Sequence, residues 1–187
     1  MRNTLADVVA AALRVLDAQG LENCSMRRVA AELQVQPSAL YHHVPDKQSL
    51  LALMADEIVA GVLPGPAPGA ERGGGGRARD ICLALRAAML GIRDGADVVA
   101  TAAAFRLGAS AVEQALAALV GADGARTLLL YTFGHAQSTQ THRQAAAFGA
   151  LVGAATADPA PGSELEASFG RGLDIILAGL RAGGSGA

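Results

Sequence analysis

Apolar residues recur at Leu5, Val8, Val9, Ala12, Leu13 and Leu16, the spacing of a single helix face. Thr4, with Asp7 three residues on, has the form of a capping box and marks where this helix begins; Gly20 ends it. A second, two-turn helix is predicted from Ser25, with Val29, Ala30 and Leu33 inward and Arg27, Arg28 and Glu32 outward. Gln34 and Val35 then form a tight turn. Pro37 suits the first turn of a third helix, because its missing N–H would lack a partner there in any case. Leu40 and Val44 supply the inner side of that helix, and Asp46 caps a fourth that carries Leu50, Leu51, Met54, Ile58 and Val62.

The periodicity stops at LPGPAPGAERGGGG, Leu63 to Gly76, whose prolines and glycines suit no helix interior. The glycine run has neither a preceding strand nor a following Lys-Ser or Lys-Thr pair, so it does not read as a phosphate loop. Helical patterns return over 78–92, 98–105, 110–119 and, longest, 124–152. A break with two prolines over 157–162 precedes a last helix, 163–181, that carries Leu165, Phe169, Leu173, Ile176, Leu177 and Leu180. The expected organisation is a set of four short helices over 1–62, a flexible loop over 63–77 and a larger helical bundle over 78–187.

Composition narrows the class. The 187 residues are 51% hydrophobic but only 3% aromatic, which argues for an all-α chain over a β-sandwich and against intrinsic disorder. A net charge of −2 gives no global attraction to nucleic acid or membrane, so any such partner must be met locally. Two cysteines, Cys24 and Cys82, one in each half, form no disulfide framework and suit a cytoplasmic location. No basic start followed by an apolar block reads as a signal peptide, and charged residues interrupt the apolar stretches before they could span a bilayer.

A two-turn helix, a tight turn and a second short helix with a polar outer face form a helix-turn-helix, a unit whose second helix fits the major groove of DNA. Its outward residues are Pro37, Ser38, Tyr41, His42 and His43, with Arg27 and Lys47 flanking where phosphates would run. The same spacing also fits a three-helix corner with a solvated face. Electrostatics does not decide between them, since residues 1–50 hold five basic and five acidic side chains.

The run SMRRVAAELQVQPSALYHHVPDKQSLLALMADEIV, Ser25 to Val59, resembles the DNA-binding domain of the tetracycline repressor (TetR) family. The resemblance places Arg27, Gln36, Pro37, Ser38, Ala39, Tyr41, His42, His43 and Lys47 at DNA-facing positions. The chain departs from the family at Gln34, where a glycine is usual, so Gln34 is expected in a strained or altered turn. Weaker likeness continues through Arg93-Asp94-Gly95-Ala96 and Phe133-Gly134-His135. The positions that match the magnesium and drug contacts of the family's tetracycline-binding members hold Leu63, Val99 and Arg143. A hydrocarbon cannot ligate magnesium and an arginine would repel it, so a metal–tetracycline ligand is not expected.

Within the long helix, Tyr131, Gly134, Ser138, Thr141 and His142 share one face and offer neutral donors and acceptors. They could line an effector pocket opposite an apolar wall of Leu85, Val99 and Phe105; the alternative is a solvated face or hydrogen bonds across a dimer seam. His135 and His142 lie about 10.5 Å apart along a helix axis, too far to share one zinc ion unaided. No metal, cofactor or catalytic constellation is expected, and the chain does not read as an enzyme. The wide apolar stripe of Leu173, Ile176, Leu177 and Leu180 points to a four-helix dimer interface shared with the 124–152 helix.

What the resemblance implies is a homodimeric transcriptional repressor: an N-terminal domain that reads a palindromic operator in double-stranded DNA, and a C-terminal domain that dimerises and binds a small organic effector. The uncharged balance of residues 1–50 keeps a second class open, a ligand-binding or sequestering helical dimer that does not read DNA.

Overall fold

The computed structural model describes residues 3–63, 73–105, 110–147 and 161–184, and every regular element among them is helical. The first helix, α1 (Leu5–Gln19), starts at the expected capping box: the Thr4 hydroxyl accepts the Asp7 N–H at 3.2 Å, and the Asp7 carboxylate accepts the Thr4 N–H at 2.7 Å. It stops at Gly20, whose φ of +79° is open to glycine at no steric cost. A single 3-10 turn, Leu21–Asn23, leads into α2 (Met26–Glu32), capped by Ser25. Then come α3 (Pro37–Leu40), with Pro37 at its first position, and α4 (Lys47–Val59), where the Asp46 carboxylate accepts the Ser49 N–H at 2.7 Å.

The remaining helices are α5 (Gly74–Leu90), α6 (Gly95–Phe105), α7 (Ala111–Val120), α8 (Ala122–Ala147) and α9 (Pro161–Gly184). Helix α5 begins inside the glycine run, four residues before the expected start. The first four N–H groups of a helix have no internal acceptor, so glycines there forfeit little, and packing decides the outcome. At Gly74 a β-carbon would stand 2.9 Å from the Leu119 carbonyl oxygen, so the close approach of α5 to the end of α7 requires a residue without one. Gly95 has the same role, since a β-carbon there would lie 2.5 Å from the Met89 carbonyl; this fixes the start of α6 three residues earlier than periodicity indicates. Pro161 extends α9 by two residues at a first-turn position that tolerates proline. Most of the expected loop (64–72) and the expected continuation of α8 (148–152) lie outside the described residues.

By contacts the chain divides into two compact units, residues 1–61 with 87–108, and residues 62–86 with 109–187. In the first, α1 packs on α2 and α4, α2 on α3, and α4 on α6. Its centre is Val8, Leu16, Val29, Leu40, Leu50 and Met54, all essentially inaccessible. In the second, α7 packs on α8 and α8 on α9, around Leu85, Leu116, Leu128, Phe169 and Leu173. Half of the expected dimer stripe is used inside this unit: Leu173 and Leu177 are buried, Ile176 and Leu180 are half-buried, and the large apolar side chains left outward are Leu130 and Ile175.

Candidate nucleic-acid interface and buried polar cluster

The turn between α2 and α3 reverses the chain through Gln34, whose φ is +56°, the left-handed conformation expected where glycine is the usual residue. The Gln34 N–H reaches the Ala31 carbonyl at 3.0 Å and the Val35 N–H the Ala30 carbonyl at 3.0 Å, so the backbone of the turn is satisfied despite the strain. Helix α3 is only one turn long. Its placement comes from Leu40 and from Val44 just beyond it, both buried against the rest of the unit.

That anchoring leaves the opposite side outward. Gln36, Ser38, Tyr41, His42 and His43 are exposed, and Pro37 and Ala39 half-exposed; Tyr41 shows 53% of its surface although it is a large ring. Arg27 on α2 and Lys47 at the start of α4 are exposed and make no ion pair among the described residues. The structure thus brings all nine expected DNA-facing residues into the first unit, on or beside one helix-turn-helix.

The neutral charge balance of this unit hides a division of labour. Asp7 and Asp46 serve as helix caps, and the N–H groups they accept hold both carboxyls below the ordinary range. Glu32 is tied to Arg14 at 2.8 Å, and Asp17 accepts the Arg93 N–H at 3.2 Å. Arg28 bonds to the Gln19 side chain. Arg27 and Lys47 take no part in these bonds.

The residues expected to line an effector pocket differ in burial and in the unit they belong to. Gly134, Ser138 and Thr141 are exposed, Tyr131 and His142 are half-buried, and Leu85 is buried. Val99 and Phe105 belong to the first unit, where Val99 is buried and Phe105 is 67% exposed. The polar groups that are buried lie on other positions: Thr132, Thr139 and Gln140 of α8, and Arg86 of α5.

Arg86 is the centre of this cluster. Its Nε–H donates to His135 Nδ1 at 3.3 Å, an Nη2–H donates to Thr139 Oγ1 at 3.3 Å, and the guanidinium lies 5.0 Å from the centroid of the Phe169 ring. The Tyr131 ring stacks on the other aromatic partner, Phe169, at 5.4 Å and 7°, while His135 tilts against Phe169 at 4.9 Å. Space for the Tyr131 hydroxyl exists because residue 172 is glycine; a β-carbon there would overlap it. Burial, and then the neighbouring Arg86, hold the His135 imidazole below its ordinary pKa, which keeps it neutral and able to accept from Arg86. Polar spacing along α8 does not point to Arg86 on α5. Its signal was present, since Ala78, Cys82, Leu85, Arg86 and Met89 fall on one helical face and four of the five are apolar.

Both thiols are inert in this setting: burial raises Cys24 and pushes Cys82 up to about 11, so each stays protonated near neutrality. Among the described residues no cluster of three or more His, Cys, Asp or Glu could hold a metal ion, and no helix is long and apolar enough to cross a membrane.

An all-helical chain that presents a short, polar, outward helix across a tight turn, with cations beside it, is of the helix-turn-helix regulator class. Residues 8–54 match the model of the tetR family of bacterial regulatory proteins. The transcriptional repressor DrrR1 of Streptomyces coeruleorubidus is 54% identical over 55 residues, which are 29% of this chain and 20% of that protein, so the match spans only a fifth of that relative's length. Likeness to solved structures covers nearly the whole chain. BioQ of Mycobacterium smegmatis superposes with a TM-score of 0.82 at 31% identity, over 96% of this chain and 98% of that one; a structure of BioQ with its natural double-stranded DNA operator gives 0.75 at 30%, over 95% and 98%. ActR of Streptomyces coelicolor in complex with (S)-DNPA gives 0.67 at 26%, over 98% and 99%. The chain belongs to the tetR family.

Proposed function

We propose that this protein is a homodimeric, cytoplasmic transcriptional repressor that reads a palindromic operator through the α2–turn–α3 unit and leaves it when the second unit binds a small organic effector. The observation that carries the reading is the outward face of α3 and the turn after it, where Tyr41, His42, His43, Ser38 and Gln36 point away from the core beside Arg27 and Lys47. Tyr41 donates to a phosphate or packs on a thymine methyl, the histidines and Gln36 meet base edges, and the two cations hold the phosphate backbone. Support comes from BioQ, solved with its double-stranded DNA operator, from the repressor DrrR1, and from ActR in complex with (S)-DNPA. These relatives are regulators, and the chain is read as a regulator and not as an enzyme.

Two copies are needed because one four-residue helix touches too few base pairs for specificity. Recognition helices spaced by about 34 to 36 Å meet successive major grooves. An effector that fits only a differently spaced state lowers operator affinity by its differential binding, and the operator weakens the effector equally. The outward Leu130 on α8 and Ile175 on α9 are apolar surface suited to a seam between copies. Selection of bound duplexes from a random pool by the purified protein tests the reading: an enriched inverted repeat is expected. Failure to enrich any sequence would favour a ligand-sequestering dimer, the reading to which the uncharged balance of residues 1–50 also belongs.

A further inference from the structure

We propose that Arg86 is the anchor for an anionic effector, an organic acid whose carboxylate pairs with the guanidinium of the second unit and which carries a further hydrogen-bonding group. The inference deepens the effector-controlled reading above and rests on it. Arg86 retains only 6% of its surface, yet no carboxylate among the described residues lies within ion-pair distance of it. Its partners, the His135 ring nitrogen, the Thr139 hydroxyl and the face of Phe169, are all neutral. A guanidinium has five N–H groups and two are used here, which leaves the Nη1 pair and one Nη2–H without a protein acceptor.

An arginine cannot escape this position by losing its proton, because its pKa lies far above neutrality even when lowered by burial, as here. The charges that act on it from the surrounding helices are Glu166 on α9, which is exposed, and Arg143 on α8, which repels it. A buried cation with neutral partners only is destabilising to the empty protein and becomes favourable when an anion arrives. One Nη1–H and the free Nη2–H run parallel and form a fork that matches the two oxygens of a carboxylate.

A second polar atom gives the ligand a second contact. His142 Nε2 is buried and has no hydrogen-bond partner among the described residues. His135, Thr139 and His142 follow one another at helical spacing on α8, so the two groups that Arg86 bonds and the free His142 nitrogen belong to one helix. An acid that also carries a hydroxyl or carbonyl would give both groups a partner.

The test is calorimetric titration of the full-length protein without DNA. The probes are 2-naphthoate, biphenyl-4-carboxylate, 4′-hydroxybiphenyl-4-carboxylate and decanoate, each paired with its uncharged carboxamide. At least one acid is expected to bind tenfold or more tightly than its amide, with the hydroxylated biphenyl ahead of the plain one. Arg86→Gln should abolish the acid's advantage and Arg86→Lys should retain part of it. No binding across the panel, equal binding of acids and amides, or an acid preference that survives in Arg86→Gln would overturn the proposal. The acid–amide comparison in the unaltered protein needs no variant, so a poorly folded Arg86→Gln leaves it decisive. Duplex selection run in parallel separates the two readings: an operator without acid preference rejects the anion anchor alone, and failure to select any operator rejects the regulator.

Discussion

Asp94 accepts the backbone N–H of Leu21 at 2.7 Å, so a residue from the turn before α6 closes the start of the 3-10 turn after α1. Asp94 does so from a left-handed backbone, φ +56°, which aspartate tolerates better than most residues. Gly20 makes the approach possible, since a β-carbon there would stand 2.9 Å from the Asp94 carboxylate. Asp94→Ala should cost about 1–3 kcal/mol, because it strands a part-buried N–H and keeps the strain. Asp94→Asn, which retains an acceptor and the tolerance for positive φ, should cost clearly less. Urea unfolding midpoints of the two variants give the comparison; equal losses would show that the negative charge matters and not the hydrogen bond.

Tyr41→Ala should weaken operator binding by on the order of 1 to 3 kcal/mol, the usual size of one lost contact at a DNA site. The ring is half exposed and contributes little to the core, so helical circular dichroism should not change. Gel shift against the selected operator reads the loss. Undiminished affinity removes Tyr41 from the interface.

Gln34→Gly should stabilise the protein. A left-handed conformation costs an L-residue roughly 1–2 kcal/mol, and the larger unfolded-state entropy of glycine returns part of that. A net gain of about 0.5–1 kcal/mol is expected, visible as a rise of a few degrees in the thermal midpoint. A fall would mean that the exposed Gln34 side chain makes a contribution the backbone argument omits.

Acid should loosen the second unit early. His135 is held below its ordinary pKa of 6.5 by burial and by Arg86, so between its folded value and 6.5 the unfolded chain binds more protons. The associated stability is fully present above pH 6.5 and declines as pH falls from there. Unfolding midpoints measured from pH 7.5 to 5.5 should drop, and His135→Gln should flatten the slope. The lowered carboxyls of Asp7, Asp46 and Asp174 act near and below pH 3.8 and leave that window clear.

How much of this was legible beforehand follows from the range of each interaction. Caps are local: Thr4, Ser25, Asp46 and Gly20 mark element ends within three or four residues, and all four stand where spacing placed them. The departure at Gln34 was equally local and appears as its positive φ. Gly74 and Gly95 misled because their value lies in close approaches to Leu119 and Met89, which no propensity scale contains. On α8 the polar residues were visible but their sides were not. Periodicity grouped Gly134, Ser138 and Thr141, whereas the face that is covered carries Thr132, Thr139 and Gln140, a choice made by α7 and α9 packing on this helix. Arg86 does not stand out in the sequence, because a single charge in an apolar run reads as surface until its depth is known.

The DNA-reading unit is discontinuous in the chain: residues 1–61 are completed by 87–108. Helix α4 packs on α6, with Met54, Ala55 and Ile58 buried on the former and Ala96, Val98 and Ala102 on the latter. A graft that transplants only the first sixty residues onto another regulator would therefore carry half an interface, baring the apolar side of α4 unless the host supplies a matching α6. Exchange of specificity between relatives by simple head-swapping is limited by this seam, and a transferable cassette has to be cut as two segments or reduced to the few outward residues of the α3 turn.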